Sequence, residues 1–266
     1  MMRKTFYTRN EREVSIDIPN PSNFPSFFVF ALHKSGSVLQ NNIFSDLCTE
    51  LDLPVVNLSR ALFQQGIEEN SLEPDICSLF APVGYCFLGF RTLPSYFRNC
   101  DLSPFKKYLL IRDPRDIVVS HYFSVKKSHG IPPGKVGEKL LEKRNKLQEM
   151  EIDEYVLEQA PIFQKRIKEY DFLKDSHFKL FRYEDVVFNK RQWILDILNF
   201  LELSLEESVI DKIAKKHDIF PQTENPDSHI RKVTPGDYKS KLKPSTIEAL
   251  NECFKSILLD YGYETP

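Results

Sequence analysis

Lys34, Arg112, Ser120, Tyr183 and the pair Arg231 and Lys232 are the residues whose types and surroundings point to chemistry on an anion. Lys34 stands in the small polar turn Lys34-Ser35-Gly36-Ser37, after the apolar run Phe27 to Leu32. Beyond the turn, Val38, Ile43, Phe44 and Leu47 recur at helical spacing. Strand, polar turn and helix together form a layout that binds phosphate. N–H groups of the turn and the positive end of the helix face the anion, and a lysine adds a mobile charge. Arg112 closes a second apolar run, Lys107 to Ile111, and Ser120 falls inside the helix that follows. An arginine can fork onto an anion while a hydroxyl of the next helix adds a further bond. The plainer alternatives are a solvated Lys34, a surface ion pair of Arg112 with Asp113 or Asp116, and a solvated Arg231–Lys232 pair.

Four short apolar runs read as strands: Phe27 to Leu32, Tyr85 to Phe90, Lys107 to Ile111 and Phe178 to Arg182. Helical patterns alternate with them. Asp113 and Pro114 are a good N-cap and first helical residue. Val156, Ala160, Phe163 and Ile167 share one helix face, as do Trp193, Ile194, Ile197, Leu198 and Leu201. A last helix carries Ile247, Leu250, Phe254, Ile257 and Leu258. Strands alternating with helices predict an α/β fold, with a mostly parallel sheet covered by helices on both faces. In such a sheet the carboxyl ends of the strands lie on one side, where ligands bind. Residues 1–24 read as a polar lead-in, in which Ile16 and Ile18 fit a short edge strand, and residues 25–266 as one domain. The long polar stretch from Asp218 to Asp237 is expected to be a functional loop.

Composition narrows the function. The chain has 266 residues, with 36 Lys and Arg against 38 Asp and Glu, a net charge of −2. That balance argues against a general binder of nucleic acid or membrane surfaces, so any anion site is local. No stretch is apolar enough to span a membrane, and the N-terminus lacks the apolar core of a signal peptide. The five cysteines are scattered, without a CxxC pair, and suggest neither a disulfide framework nor a zinc site. A reducing cytosol, and hence a cytoplasmic protein, is the expectation.

In this order, the motifs resemble those of the cytosolic sulfotransferases that use 3′-phosphoadenosine-5′-phosphosulfate (PAPS). His33-Lys34-Ser35-Gly36-Ser37 is similar to the family's 5′-phosphosulfate loop, PKSGTTW. Arg112-Asp113-Pro114-Arg115-Asp116-Ile117-Val118-Val119-Ser120 resembles its 3′-phosphate motif. Tyr183-Glu184-Asp185 matches its YED segment, and Arg231-Lys232-Val233-Thr234-Pro235-Gly236-Asp237-Tyr238-Lys239 its RKGxxGDWK loop. The resemblance runs from about Phe27 to Lys239. It implies a three-layer P-loop-like fold and transfer of a sulfuryl group from PAPS to a hydroxyl or amine of a small-molecule acceptor, leaving the product PAP. A bacterial-type natural product is the expected acceptor. Lys34, Ser35, Gly36, Ser37 and Val38 would hold the 5′ side. Arg112, Ser120, Arg231, Lys232 and Val233 would hold the 3′-phosphate, and Tyr183 would contact adenine. No metal is implied.

The departures define the open questions. Leu39 replaces the family's stacking tryptophan, which leaves adenine to another group such as Phe220. Val233 stands for the glycine of RKG. Thr92, in Phe90-Arg91-Thr92-Leu93-Pro94, takes the place of the family's catalytic histidine. A histidine is the usual base near neutral pH. Of six histidines, His129, in the loop after the Ser120 helix, is the first candidate and His33 the second; His121 lies too near the expected 3′-phosphate. Lys243-Pro244 breaks the family's dimer motif, so the oligomeric state stays open. Two other classes compete. A P-loop kinase lacks support, because Phe28 stands where the first glycine of GxxxxGK[ST] would be. A non-catalytic PAP- or PAPS-binding protein fits the loss of the histidine at Thr92, whereas Lys34 argues for transfer.

Overall fold

The structure is a computed structural model that describes residues 1–128, 135–219 and 233–263. In chain order, β1 (Met2–Tyr7) and β2 (Glu13–Ile18) precede β3 (Phe27–Ala31), α1 (Ser37–Glu50), β4 (Val55–Val56) and α2 (Leu58–Gln64). β5 (Cys86–Phe90), β6 (Lys106–Ile111), α3 (Pro114–Phe123), α4 (Lys135–Lys146) and α5 (Ile152–Glu169) follow. The chain continues through β7 (Phe178–Arg182), α6 (Tyr183–Val186), α7 (Lys190–Leu201), α8 (Glu207–Lys216), α9 (Tyr238–Lys241) and α10 (Pro244–Asp260).

The four predicted strands are β3, β5, β6 and β7. They pair in the order β4-β5-β3-β6-β7, and every pairing is parallel. Strands buried on both faces read as unbroken apolar runs, which is why Phe27–Ala31 shows no polar alternation. Period-two geometry still sorts its side chains. Phe28 and Phe30 join one core with Phe80, Phe87, Phe90, Phe97 and Phe105, beneath α3, α5 and α10. Phe27, Val29 and Ala31 face the other, against Ile43, Phe44 and Leu47 of α1 and Trp193, Ile194 and Ile197 of α7. The result is a three-layer α/β arrangement. β4 was hidden in the sequence because it is only two residues long, too short for a periodic signal.

Residues 1–24 hold more structure than a polar composition indicates. β1 and β2 form an antiparallel hairpin of their own, with Ile16 and Ile18 in β2 rather than at the edge of the main sheet. Phe6, Val14, Ile16 and Ile18 are buried in the aromatic core. The hairpin also grips the segment after α2: Arg9 N–H donates to the Ser71 carbonyl (2.7 Å), and Glu73 N–H to that of Tyr7 (3.0 Å).

Two further details shape the upper end of β5. Phe28 pairs with Phe87 but Phe30 with Phe90, so β5 carries one extra residue, a bulge. Gly89 lies in it with φ 99, and a Cβ there would fall 2.2 Å from Asn57 Oδ1. Asn57 in turn caps α2 by accepting from Arg60 N–H (2.9 Å). The expectation of unpaired cysteines is corrected: Cys77 and Cys100 form a disulfide, with Cα atoms 5.3 Å apart. They lie 23 residues apart, and two packed 3₁₀ turns, Pro74–Leu79 and Ser95–Asn99, bring them together. Nothing in their spacing shows this. Among the described residues, no helix is long and apolar enough to cross a membrane.

The bulge yields a test of the fold. Gly89→Ala forces a left-handed φ on a residue with a side chain and drives its Cβ into Asn57. We expect a loss of about 1–3 kcal/mol in a denaturant titration; an unchanged midpoint would mean that the bulge relaxes freely.

Candidate active site

The turn after β3 is fastened to its neighbour strand. Leu32 N–H donates to the Leu110 carbonyl (3.1 Å), and the buried Ser35 hydroxyl bonds the carbonyls of Leu32 (2.6 Å) and Leu110 (3.0 Å). Ser35 N–H also donates to the Leu32 carbonyl (3.1 Å). Both donors of Ser35 are thus engaged in shaping the turn. Lys34 has φ 70, a left-handed conformation that costs a residue with a side chain about 1–3 kcal/mol. Gly36 has φ 91 and precedes α1, which has no side-chain cap and no acidic residue in its first turn. The leading N–H groups of α1, which lack partners within the helix, therefore open at the carboxyl edge of the sheet. Ser37 is buried there and Val38 half-buried.

Arg112 leaves the neighbouring strand β6 and is 6% exposed. Its Nη2 donates to Asp116 Oδ2 (3.0 Å), but among the described residues its buried Nε has no partner. The ion pair weighed from the sequence does form, inside the protein rather than on its surface. Asp116 is fully enclosed and also accepts from Gly236 N–H (2.8 Å) and Tyr238 N–H (3.0 Å). It thereby fastens residues just after the Arg231–Lys232 motif to the start of α3. Ser120 lies one helical turn beyond Asp116, on the same face, and is half-buried. Arg115 is structural: it forks onto Asp113 (2.9 and 2.7 Å), bonds Asn251 (2.7 Å) and lies over the Tyr238 ring.

Tyr183, at the end of β7, is wedged between these pieces. Its ring lies 4.8 Å from the Arg112 guanidinium carbon and so close to Gly36 that a Cβ there would be 2.8 Å from it. Its hydroxyl donates to the Val233 carbonyl (3.0 Å). Burial raises the Tyr183 hydroxyl's pKa, against the pull of Arg112. Glu184 accepts from Asp113 N–H (2.9 Å) and from the Tyr263 hydroxyl (3.1 Å); burial raises its carboxyl's pKa, partly offset by the Asp113 amide. The structure thus brings Lys34, Gly36, Ser37, Arg112, Tyr183 and Val233 to one edge. His33 meets His121 ring to ring at 5.2 Å, and His121 Nδ1 is hydrogen-bonded to the Tyr155 hydroxyl (2.7 Å). His121 therefore leans toward the Lys34 turn, which its place beside Ser120 did not reveal. His129, Phe220, Arg231 and Lys232 lie outside the described residues.

Residues 91–262, more than half of the chain, match the family of the sulfotransferase domain. The chain belongs to that family. No curated protein matches it in sequence. Several sulfotransferase structures share its three-layer P-loop-like fold. The mouse sulfotransferase SULT7A1, complexed with PAP, is 16% identical with a TM-score of 0.53, over 90% of this chain and 85% of that one. Retinol dehydratase in a complex with retinol and PAP is 16% identical with a TM-score of 0.50, over 98% and 92%. The sulfotransferase domain from the curacin biosynthetic pathway is 14% identical with a TM-score of 0.53, over 92% and 100%.

Within this sulfotransferase, Asp116 had not been singled out as a keystone, although its i+4 spacing from Arg112 is visible in the sequence. Asp116→Ala leaves a buried guanidinium without its counter-charge and two amides without an acceptor. We expect it to destabilise the protein by about 3–5 kcal/mol in a denaturant titration. A loss below about 1 kcal/mol would make the buried pair incidental.

Proposed function

We propose that the protein transfers a sulfuryl group from PAPS to a hydroxyl or amine of a small-molecule acceptor. The observation that carries this is the buried Arg112, whose Nε has no hydrogen-bond partner among the described residues and whose guanidinium lies across the Tyr183 ring from Gly36 of the Lys34 turn. A buried N–H of a charged group without a partner is costly, and an anionic oxygen satisfies it. In this proposal Arg112 and Ser120 hold the 3′-phosphate, with Arg231, Lys232 and the Val233 amide closing over it. The amides of Gly36, Ser37 and Val38, with the Ser37 hydroxyl, receive the 5′ side. Ser35 holds the turn in shape instead of reaching the ligand, and Tyr183 braces Gly36 and Val233.

Sulfuryl transfer resembles phosphoryl transfer in that charge grows on the leaving oxygen, so positioning and electrostatics do most of the work. Lys34 would stabilise that charge. His33 is assigned to the acceptor side, and His129, outside the described residues, stays a candidate base from the sequence. A bacterial-type natural product is proposed as the acceptor class. The Cys77–Cys100 bond weighs against a cytoplasmic setting, because the cytosol keeps such pairs reduced.

A non-catalytic PAPS-binding protein is the second reading, favoured by Thr92. Against it stands the strained backbone of Lys34. Such strain persists where it serves a site, and a pure binder has little need of a transfer lysine there.

Two measurements separate these readings. Lys34→Ala should lower kcat by orders of magnitude with labelled PAPS and an acceptor panel, while PAP affinity changes much less. A Lys34 variant with normal kcat and only a raised KM for PAPS would make Lys34 a binding residue. Arg112→Ala should weaken PAP by roughly 1.5–3 kcal/mol in calorimetry but leave adenosine 5′-phosphate nearly unchanged. Equal losses for the two ligands would remove Arg112 from the 3′-phosphate.

A further inference from the structure

Thr92 cannot take a proton from an acceptor near neutral pH, so a sulfuryl transferase built on this chain needs another base. The region around Thr92 supplies one. β3 and β5 are neighbours in the sheet, with Phe30 paired to Phe90. Thr92, two residues past β5, therefore flanks the turn that carries His33 and Lys34. Facing Thr92 is Glu69, in the 3₁₀ turn Glu69–Ser71. We propose that Glu69 is the general base that receives the proton of a hydroxyl acceptor.

Three observations carry this assignment. First, the surroundings are polar and under-satisfied. Among the described residues, Glu69 Oε1, Ser59 Oγ and Tyr96 OH are all buried without a hydrogen-bond partner. The Ser59 and Thr92 hydroxyls are near enough to act on the Glu69 carboxyl, and Tyr96 and Tyr170 feel its charge. Tyr96 is only 1% exposed, so its idle hydroxyl is buried at high cost unless a ligand meets it. A cluster of hydroxyls around a carboxylate matches the chemistry of an acceptor hydroxyl.

Second, Glu69 is held from outside the site. Ser95 N–H donates to Asn70 Oδ1 (2.9 Å), and Arg9 N–H to the Ser71 carbonyl (2.7 Å). The N-terminal hairpin and the Ser95 turn thus fix the backbone on the carboxyl's C-terminal side. Tyr170 links the cluster to the transfer turn, because its hydroxyl donates to the Ala31 carbonyl (3.4 Å) at the end of β3.

Third, the carboxyl has the character of a base. Burial raises its pKa above the ordinary glutamate range, and the Ser59 hydroxyl, the Arg91 charge and the Thr92 hydroxyl oppose that only in part. A stronger carboxylate base is a better proton acceptor for an alcohol. Arg91 acts on Glu69 through its charge and favours the carboxylate form that accepts a proton.

The assignment rests on the transferase reading above. The acceptor O–H proton passes to a Glu69 oxygen as the acceptor oxygen bonds to sulfur. The bond from sulfur to the 5′-phosphate oxygen breaks, and PAP departs with that electron pair. Glu69 then returns its proton to solvent.

The test uses the full chain with labelled PAPS, a panel of aliphatic alcohols, and nitrophenol at a pH where it is already ionised. Glu69→Gln should lower kcat/KM for alcohols by about 10²–10⁴-fold and leave nitrophenol turnover within about threefold of wild type. Glu69→Asp should recover part of the alcohol activity. Wild-type kcat/KM for alcohols should rise with pH through a limb above the ordinary glutamate range, and Glu69→Gln should lose that limb. The folded pKa is raised, so ionising Glu69 costs stability as pH climbs through it. Glu69→Gln should therefore melt no lower than wild type at neutral pH. Full alcohol activity in Glu69→Gln, or equal losses for alcohols and nitrophenol, overturns the assignment alone. A wild type that binds PAP in calorimetry but transfers to no acceptor overturns the transferase reading and the assignment with it.

Discussion

The Asp116 carboxylate is buried beside Arg112 and accepts from Arg112, Gly236 and Tyr238, three points of the chain far apart in sequence. A carboxylate in that position is tolerable only when its oxygens are met by charge and N–H donors. The two amides and the guanidinium answer that demand, and in doing so they fix the geometry of the edge. Arg112 is held through Nη2, which leaves Nε without a partner among the described residues. The segment from Val233 onward is drawn to the same edge, where Tyr183 takes hold of it. The geometry of the edge thus follows from how one buried charge is satisfied.

A second constraint is steric. Gly36 leaves room for the Tyr183 ring, and that ring separates the Lys34 turn from Arg112. With any side chain at residue 36, the phosphate turn and the arginine could not share one edge in this way. On the far side of Lys34, the extra residue in β5 and the capped start of α2 bring Ser59, Glu69 and Thr92 together. The two halves of the proposed site therefore depend on different devices: a charge network around Arg112, and a bulge with an N-terminal hairpin around Thr92.

The sequence made the edge around Lys34 and Arg112 legible because its parts are local. Strand, turn and helix around Lys34 follow one another in the chain, and so do Arg112, Asp113, Pro114 and Ser120. The parallel sheet was legible for the same reason, since β3, β5, β6 and β7 each read as an apolar run. What the sequence concealed is what distant residues do together. Glu69 lies in a mixed stretch without periodicity and gains meaning only beside Thr92. His121 looked committed to Ser120 but turns toward His33. Ser35 looked like a phosphate ligand, yet its short hydroxyl reaches two carbonyls of the protein first. The hairpin of residues 2–18 was read as a lead-in because its buried positions alternate with charges, which dilutes the apolar signal of a two-stranded element.

The central claim is that one edge of the sheet holds the nucleotide by its two phosphates. The most direct measurement is a crystal structure of the protein with PAP. The account predicts the 5′-phosphate against the amides of Gly36, Ser37 and Val38, and the 3′-phosphate within hydrogen-bond distance of Arg112 Nε and Ser120 Oγ. PAP bound elsewhere, or bound with its 3′-phosphate away from Arg112, would contradict it.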